Sequence, residues 1–167
     1  MLIIATGQII SPSLTQTRTE QDFLLHIAET VKLLPEEKVI FITDNLNTHI
    51  SESLVIYVAN QQNIPEESLG EKGKSGILKS MESRKKFLED TSHRVSFAYT
   101  PKHTSWMNQI EIWFGILVRK LLKRHSFCSV EELKLKIRNF IEYFNNIMAK
   151  PFKWTYKGIP LTSGIVM

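Results

Sequence analysis

Hydrophobic positions in this chain switch between two rhythms, short unbroken runs and helical spacing, and the clearest switch lies between Val95 and Leu122. There VSFAYTPKHTSWMNQIEIWFGILVRKLL reads as a buried strand, a proline-containing loop and a long amphipathic helix. At about 100° per residue, Trp106, Ile110, Trp113, Phe114, Leu117 and Leu121 fall on one face of a helix predicted over 106–122. Glu111 sits in its second turn, on the flank of that face near Met107 and Val118. Desolvating an unpaired charge is expensive, so a carboxylate drawn into the core boundary there is expected to meet a cationic or hydrogen-bonding partner.

The same reading places the other elements. MLIIATGQIISPSL predicts two short strands joined by a turn at Thr6 and Gly7. A first helix follows, capped by Thr19 with Asp22 three residues on, with Phe23, Ile27, Val31 and Leu34 as its apolar stripe against a sheet and Pro35 ending it. KVIFITDN carries the continuous run Val39–Ile42, which predicts a central strand buried on both faces. In α/β sheets ligands gather at the carboxyl ends of strands, and Asp44 stands at such an end. Ser51 caps a helix through Leu54, Val55 and Val58 to about Gln61. Residues 62–93 lose the pattern and read as a Gly/Lys-rich basic insertion with one short helix around Leu78 to Leu88. Ser129 and Glu132 predict a capping box for a last helix whose buried face is Leu133, Ile137, Phe140, Ile141, Phe144 and Ile147. The closing KPFKWTYKGIPL has no period; it reads equally as a tail anchored by Phe152, Trp154 and Tyr156 or as a DNA-contacting segment stacking aromatics between lysines.

Composition narrows the class. A chain of 167 residues is one domain by size and buries a core without disulfides. Its one cysteine, Cys128, forms no internal bridge, and no apolar run spans a bilayer, so a reducing, cytoplasmic setting without membrane contact is expected. The net charge of +4 is concentrated after residue 70, in KGKSGILKSMESRKK and RKLLKRH. Such clustering suits a phosphate-bearing partner, and it also suits ordinary solvated helix faces.

Asp44 and Glu111 carry the candidate chemistry. If the strands that precede them pair, their carboxylates converge at one end of the sheet, and two carboxylates brought together favour sharing a cation. Oxygen-only donors suit Mg²⁺ or Mn²⁺, ions that activate water and stabilise the leaving oxygen in phosphodiester cleavage. Two competing readings fail. GEKGKSG resembles the end of a phosphate-binding loop, but Ser68 stands where that loop needs glycine, and no buried strand precedes it. His26, His49, His93, His103 and His125 share no zinc-ligand spacing, and His26 reads as a helix-surface residue.

VIFITDNLNTH and FAYTPKHTSWMNQIEIWF resemble the second-Asp and Glu motifs of insertion-sequence transposases of the mariner-like DDE group, the DDE superfamily endonucleases. The resemblance continues through RKLLKRHSFCSVEELKLKIRNFIEYFN, AKPFKWTYKG and TRTEQDF, so it covers nearly the whole chain. It implies a ribonuclease H-like α/β fold with a mixed sheet flanked by helices, a two-metal Mg²⁺ (or Mn²⁺) site, and DNA cleavage and strand transfer at transposon ends and target. By motif position Asp44 is the second acidic ligand and Glu111 the third, with Asn45, His49, His103 and Asn108 matching family positions near the site.

The resemblance also implies a first catalytic Asp on a strand preceding the pair with which this sequence opens. Asp22 belongs to a helix cap, and Asp90 lies in the polar insertion, so neither takes that place. The expectation is therefore a C-terminal part of a catalytic domain from a truncated element, lacking the first strand and inactive alone, with an upstream transposase fragment or a second copy as partner. The alternative is a non-catalytic, basic nucleic-acid-binding remnant.

Overall fold

The computed structural model describes residues 1–101 and 108–151. Its elements run α1 (Glu20–Lys32), β1 (Val39–Thr43), α2 (Glu52–Gln61), α3 (Met81–Leu88), β2 (Val95–Tyr99), α4 (Gln109–Lys120) and α5 (Val130–Tyr143). β1 and β2 form a parallel pair in the register Val39↔Val95 to Thr43↔Tyr99. An antiparallel bridge between Leu2 and Ile9 closes a small hairpin at the start of the chain. The protein is thus α/β, and among the described residues the sheet has two strands rather than the expected mixed set.

Local chemistry fixes the helix ends. Thr19 and Asp22 form a reciprocal capping box at α1, as the sequence predicts. Ser51 caps α2 by accepting from the Leu54 N–H. At α5 the box is half realised: the Ser129 hydroxyl accepts from the Glu132 N–H, but the Glu132 carboxylate turns to the Cys128 N–H at 2.8 Å. Gly7 is required in the hairpin, because its φ is +74° and a Cβ there would collide with the Lys150 carbonyl.

Two hydrophobic clusters result. The first packs Ile27 and Val31 of α1, Phe41 of β1, Leu54, Val55 and Val58 of α2, and Val95 and Phe97 of β2. Leu69, Leu78 and Leu88 join it, so the polar 62–93 segment is stitched into the core and is no loose excursion. A parallel pair needs a long crossover, and α2 with α3 supplies it. The second cluster gathers Ile9 with Trp113 and Leu117 of α4, Leu121 just past its end, and Ile141 and Phe144 further along the chain.

Three expectations change. β1 is not buried on both faces: Phe41 and Thr43 are buried, while Ile40 and Ile42 remain 55% and 45% exposed. On α4, Phe114 lies half in solvent while Trp113 and Leu117 carry the packing. Ile147 is turned outward because Phe144–Met148 forms a π-turn, whose wider winding puts Met148 and Ala149 on the cluster instead. The predicted anchors Phe152, Trp154 and Tyr156 lie outside the described residues.

Candidate functional site

β1 ends at Thr43 and delivers Asp44, Asn45 and, after a turn of 3-10 helix over Asn47–Ile50, His49. The His49 Nδ1 lies 2.7 Å from Asp44 Oδ1 and 2.8 Å from the Thr43 hydroxyl. A lone pair on Nδ1 would face the carboxylate at that distance, so Nδ1 carries the proton and donates it. Asp44 Oδ1 also accepts from the Leu46 N–H, while Oδ2 has no hydrogen bond among the described residues. The carboxylate is 48% exposed and the imidazole 17%, so His49 backs Asp44 from the core side. Phe23 packs on the imidazole with ring centres 4.1 Å apart, and the Tyr99 hydroxyl donates to the His49 carbonyl. Burial, reinforced by Glu89, pushes the Tyr99 phenol well above its ordinary range, keeping it a neutral donor.

Asn45 ties the strand ends together. Its Nδ2 donates to the Thr100 carbonyl just past β2, and its Oδ1 accepts from Lys85 Nζ at 2.7 Å. Lys85 also lies 5.0 Å over the Tyr99 ring and 3.8 Å from Glu89. Thr43 and Tyr99 were legible only as members of two predicted strands, and their register comes from the structure. Lys85 was not, because nothing in a polar helix reveals that one lysine reaches back to β1.

Glu111 corrects the sequence reading. α4 starts at Gln109 with Asn108 as its cap, so Glu111 falls in the first turn rather than the second. Its side chain is exposed and has no ion-pair or hydrogen-bond partner among the described residues. The amino end of a helix favours a carboxylate, which removes the need for a cationic neighbour. The buried polar group at this helix start is Gln109, 8% exposed, whose Oε1 has no partner among the described residues. His103 lies outside the described residues.

Asp44, Asn45, His49, Asn108 and Glu111 all line one cleft of about 1760 Å³. His26 lines it too: it is half-buried rather than on the surface, and burial, with a smaller push from the Met1 ammonium, lowers its pKa to about 4. Among the described residues no three acidic, histidine or cysteine side chains converge as a ready metal cage. The donor chemistry present still suits a hard cation, since Asp44 and Glu111, whose Oδ2 and carboxylate have no hydrogen-bond partner among the described residues, line the same cleft.

A parallel strand pair with a carboxylate at its carboxyl end, followed by a helix opening with a second carboxylate, defines an α/β domain with a nuclease-like arrangement. The sequence model of the DDE superfamily endonuclease family matches residues 2–134, and the chain belongs to that family. Comparison with curated proteins and with solved structures found no match. Domains of this family act on DNA and generally use divalent metal ions. No helix among the described residues is long and apolar enough to cross a membrane.

Proposed function

We propose that this chain is a catalytic-domain segment of a mariner-like insertion-sequence transposase, built on a ribonuclease H-like plan, with Asp44 and Glu111 as carboxylate ligands for Mg²⁺ or Mn²⁺. The observation that carries the reading is that both residues line one cleft, each with an oxygen free of partners among the described residues. Bound there, a divalent ion would supply Lewis-acid activation of phosphodiester oxygens and of water. The chain's own residues do the positioning. His49 holds one Asp44 oxygen and leaves the other for a ligand, and Asn45 fixes the spacing of the β1 and β2 ends. Lys85, held beside Asn45, places a positive charge where a DNA phosphate would approach.

Two carboxylates make a partial shell. Among the described residues no acidic side chain ends a strand ahead of Asp44, and phosphoryl transfer depends on fixed geometry. We infer that the chain alone holds the ion weakly and does not cleave DNA. The test pairs Mn²⁺ binding, followed by the loss of free-ion electron paramagnetic resonance signal, with nicking of supercoiled plasmid. Asp44→Asn and Glu111→Gln are each expected to remove most of the bound Mn²⁺, and the wild-type chain is expected to leave the plasmid intact. Mn²⁺ uptake indifferent to both substitutions would sink the metal site and leave the alternative, a basic nucleic-acid-binding module. Nicking that both substitutions abolish would show that two carboxylates suffice.

A further inference from the structure

Asp44 is flanked in the chain by residues that are both bound to Thr100, just past the end of β2. The Thr100 N–H donates to the Thr43 carbonyl at 2.8 Å, and the Thr100 carbonyl accepts from the Asn45 side-chain Nδ2. Tyr99 adds a further tie, because its hydroxyl donates to the carbonyl of His49, the residue that holds Asp44 Oδ1. The Asn45 carboxamide and the Tyr99 ring meet one and the same group from elsewhere in the chain. Lys85 Nζ donates to Asn45 Oδ1 at 2.7 Å and lies 5.0 Å over the Tyr99 ring.

Helix α3 gives that ammonium a fixed base. Leu88 is fully buried in the first core, the Ser83 hydroxyl donates to the Ile77 carbonyl at 2.9 Å, and α3 packs on the turn Asn47–Ile50 that carries His49. Glu89 stands 3.8 Å from the ammonium, beyond hydrogen-bond length, so the short bond Lys85 makes is the one to Asn45. An ammonium only donates and a carbonyl only accepts, so Lys85 and Thr100 fix the same orientation of the Asn45 amide, oxygen toward α3 and nitrogen toward β2. Water in the place of Lys85 could donate too, but it is neither anchored nor charged, and a charge-assisted bond is roughly twice as strong as a neutral one. We propose that Lys85 is a positioning residue: it clamps the Asn45 carboxamide against Thr100 and thereby aims the Asp44 carboxylate. This role rests on the reading of Asp44 as a metal ligand, and it differs from a phosphate contact in needing no DNA.

Charge and positioning make opposite predictions for metal binding. A lysine near a divalent cation repels it, so loss of the charge alone would tighten the ion, whereas loss of positioning weakens it. In the whole chain without DNA, Lys85→Met, which keeps an unbranched stem, is expected to weaken Mn²⁺ binding about tenfold, the lower end for residues that orient a ligand. Lys85→Arg should restore most of that loss. Asn45→Ala should weaken the ion to a similar degree, and adding Lys85→Met to it should cost little more, since the one residue acts through the other. Tighter or unchanged binding in Lys85→Met overturns the proposal, and so do additive losses in the double variant, which mean that Lys85 acts without Asn45. Nuclear magnetic resonance of the metal-free chain supplies an independent arm. Lys85→Met should move the Asn45 carboxamide and Asp44 carboxyl resonances and speed exchange of the Thr100 amide, with the α2 amides unchanged; identical spectra overturn the proposal. Should Asp44→Asn hold Mn²⁺ as well as the wild type, the metal reading fails, and the metal-free spectra alone decide whether Lys85 clamps Asn45 and aims Asp44.

Discussion

Single side chains in the cleft carry charges whose state depends on their surroundings. His26 is held neutral by burial, with a folded pKa near 4 against an ordinary 6.5. Because the unfolded chain takes up the proton first, stability from this group is fully present above about 6.5 and is lost as pH falls toward 4. The melting temperature should therefore fall across that window, and His26→Leu should flatten the decline in a circular dichroism pH series; an identical slope in the variant would refute the assignment. His49 acts differently, through its bond to Asp44. Residues that orient a metal ligand typically support affinity by 10- to 100-fold. His49→Ala is thus expected to weaken Mn²⁺ binding by roughly that factor while leaving the fold intact, and titration calorimetry of the two proteins checks it.

At the scale of elements, capping and periodicity were legible and edges were not. Thr19, Asp22 and Ser51 could be assigned from sequence because a cap is a local contract between residues three apart. The burial of β1 was not, since a run of Val, Ile and Phe looks the same whether or not another layer covers Ile40 and Ile42. The 62–93 segment misled in the opposite direction: its composition is polar, yet three well-spaced leucines anchor it. Leu88, fully buried at the end of α3, tests this directly. Leu88→Ala should destabilise the protein by about 2–5 kcal/mol in urea unfolding, whereas a loosely attached insertion would tolerate the change within about 0.5 kcal/mol. Asp44 was legible as a strand-end carboxylate, and Glu111 was legible as a residue but not in its surroundings. Its helix begins at Gln109, three residues later than periodicity suggests, which puts Glu111 in the first turn, and its side chain lies in solvent rather than at the core flank.

The whole molecule is two cores with an open cleft between them. The close pairs β1–β2, α1–α2, α2–α3 and α2–β2 belong to the first cluster. Among the described residues the second rests on fewer buried side chains, chiefly Trp113, Leu117, Ile141 and Phe144, with Ile9 and Asn145 binding the hairpin to it. Free energies of local opening follow buried apolar contact, so the two halves should not open together. Native-state hydrogen exchange is expected to show α4 and α5 amides exchanging at lower opening free energy than those of β1, β2 and α2. Trp113→Ala should widen that gap by accelerating α4 and α5 alone, and uniform protection across both halves would show instead a single cooperative core. The consequence reaches the candidate site, because Asp44 is carried by the stable half and Glu111 by the labile one. Their separation is then set by the cleft, and whatever fills the cleft also determines how well the two carboxylates act together. Trp113→Ala, which loosens α4, should therefore also weaken Mn²⁺ binding in a titration of the two proteins. Unchanged Mn²⁺ affinity in that variant would show that the two halves of the site are mechanically independent.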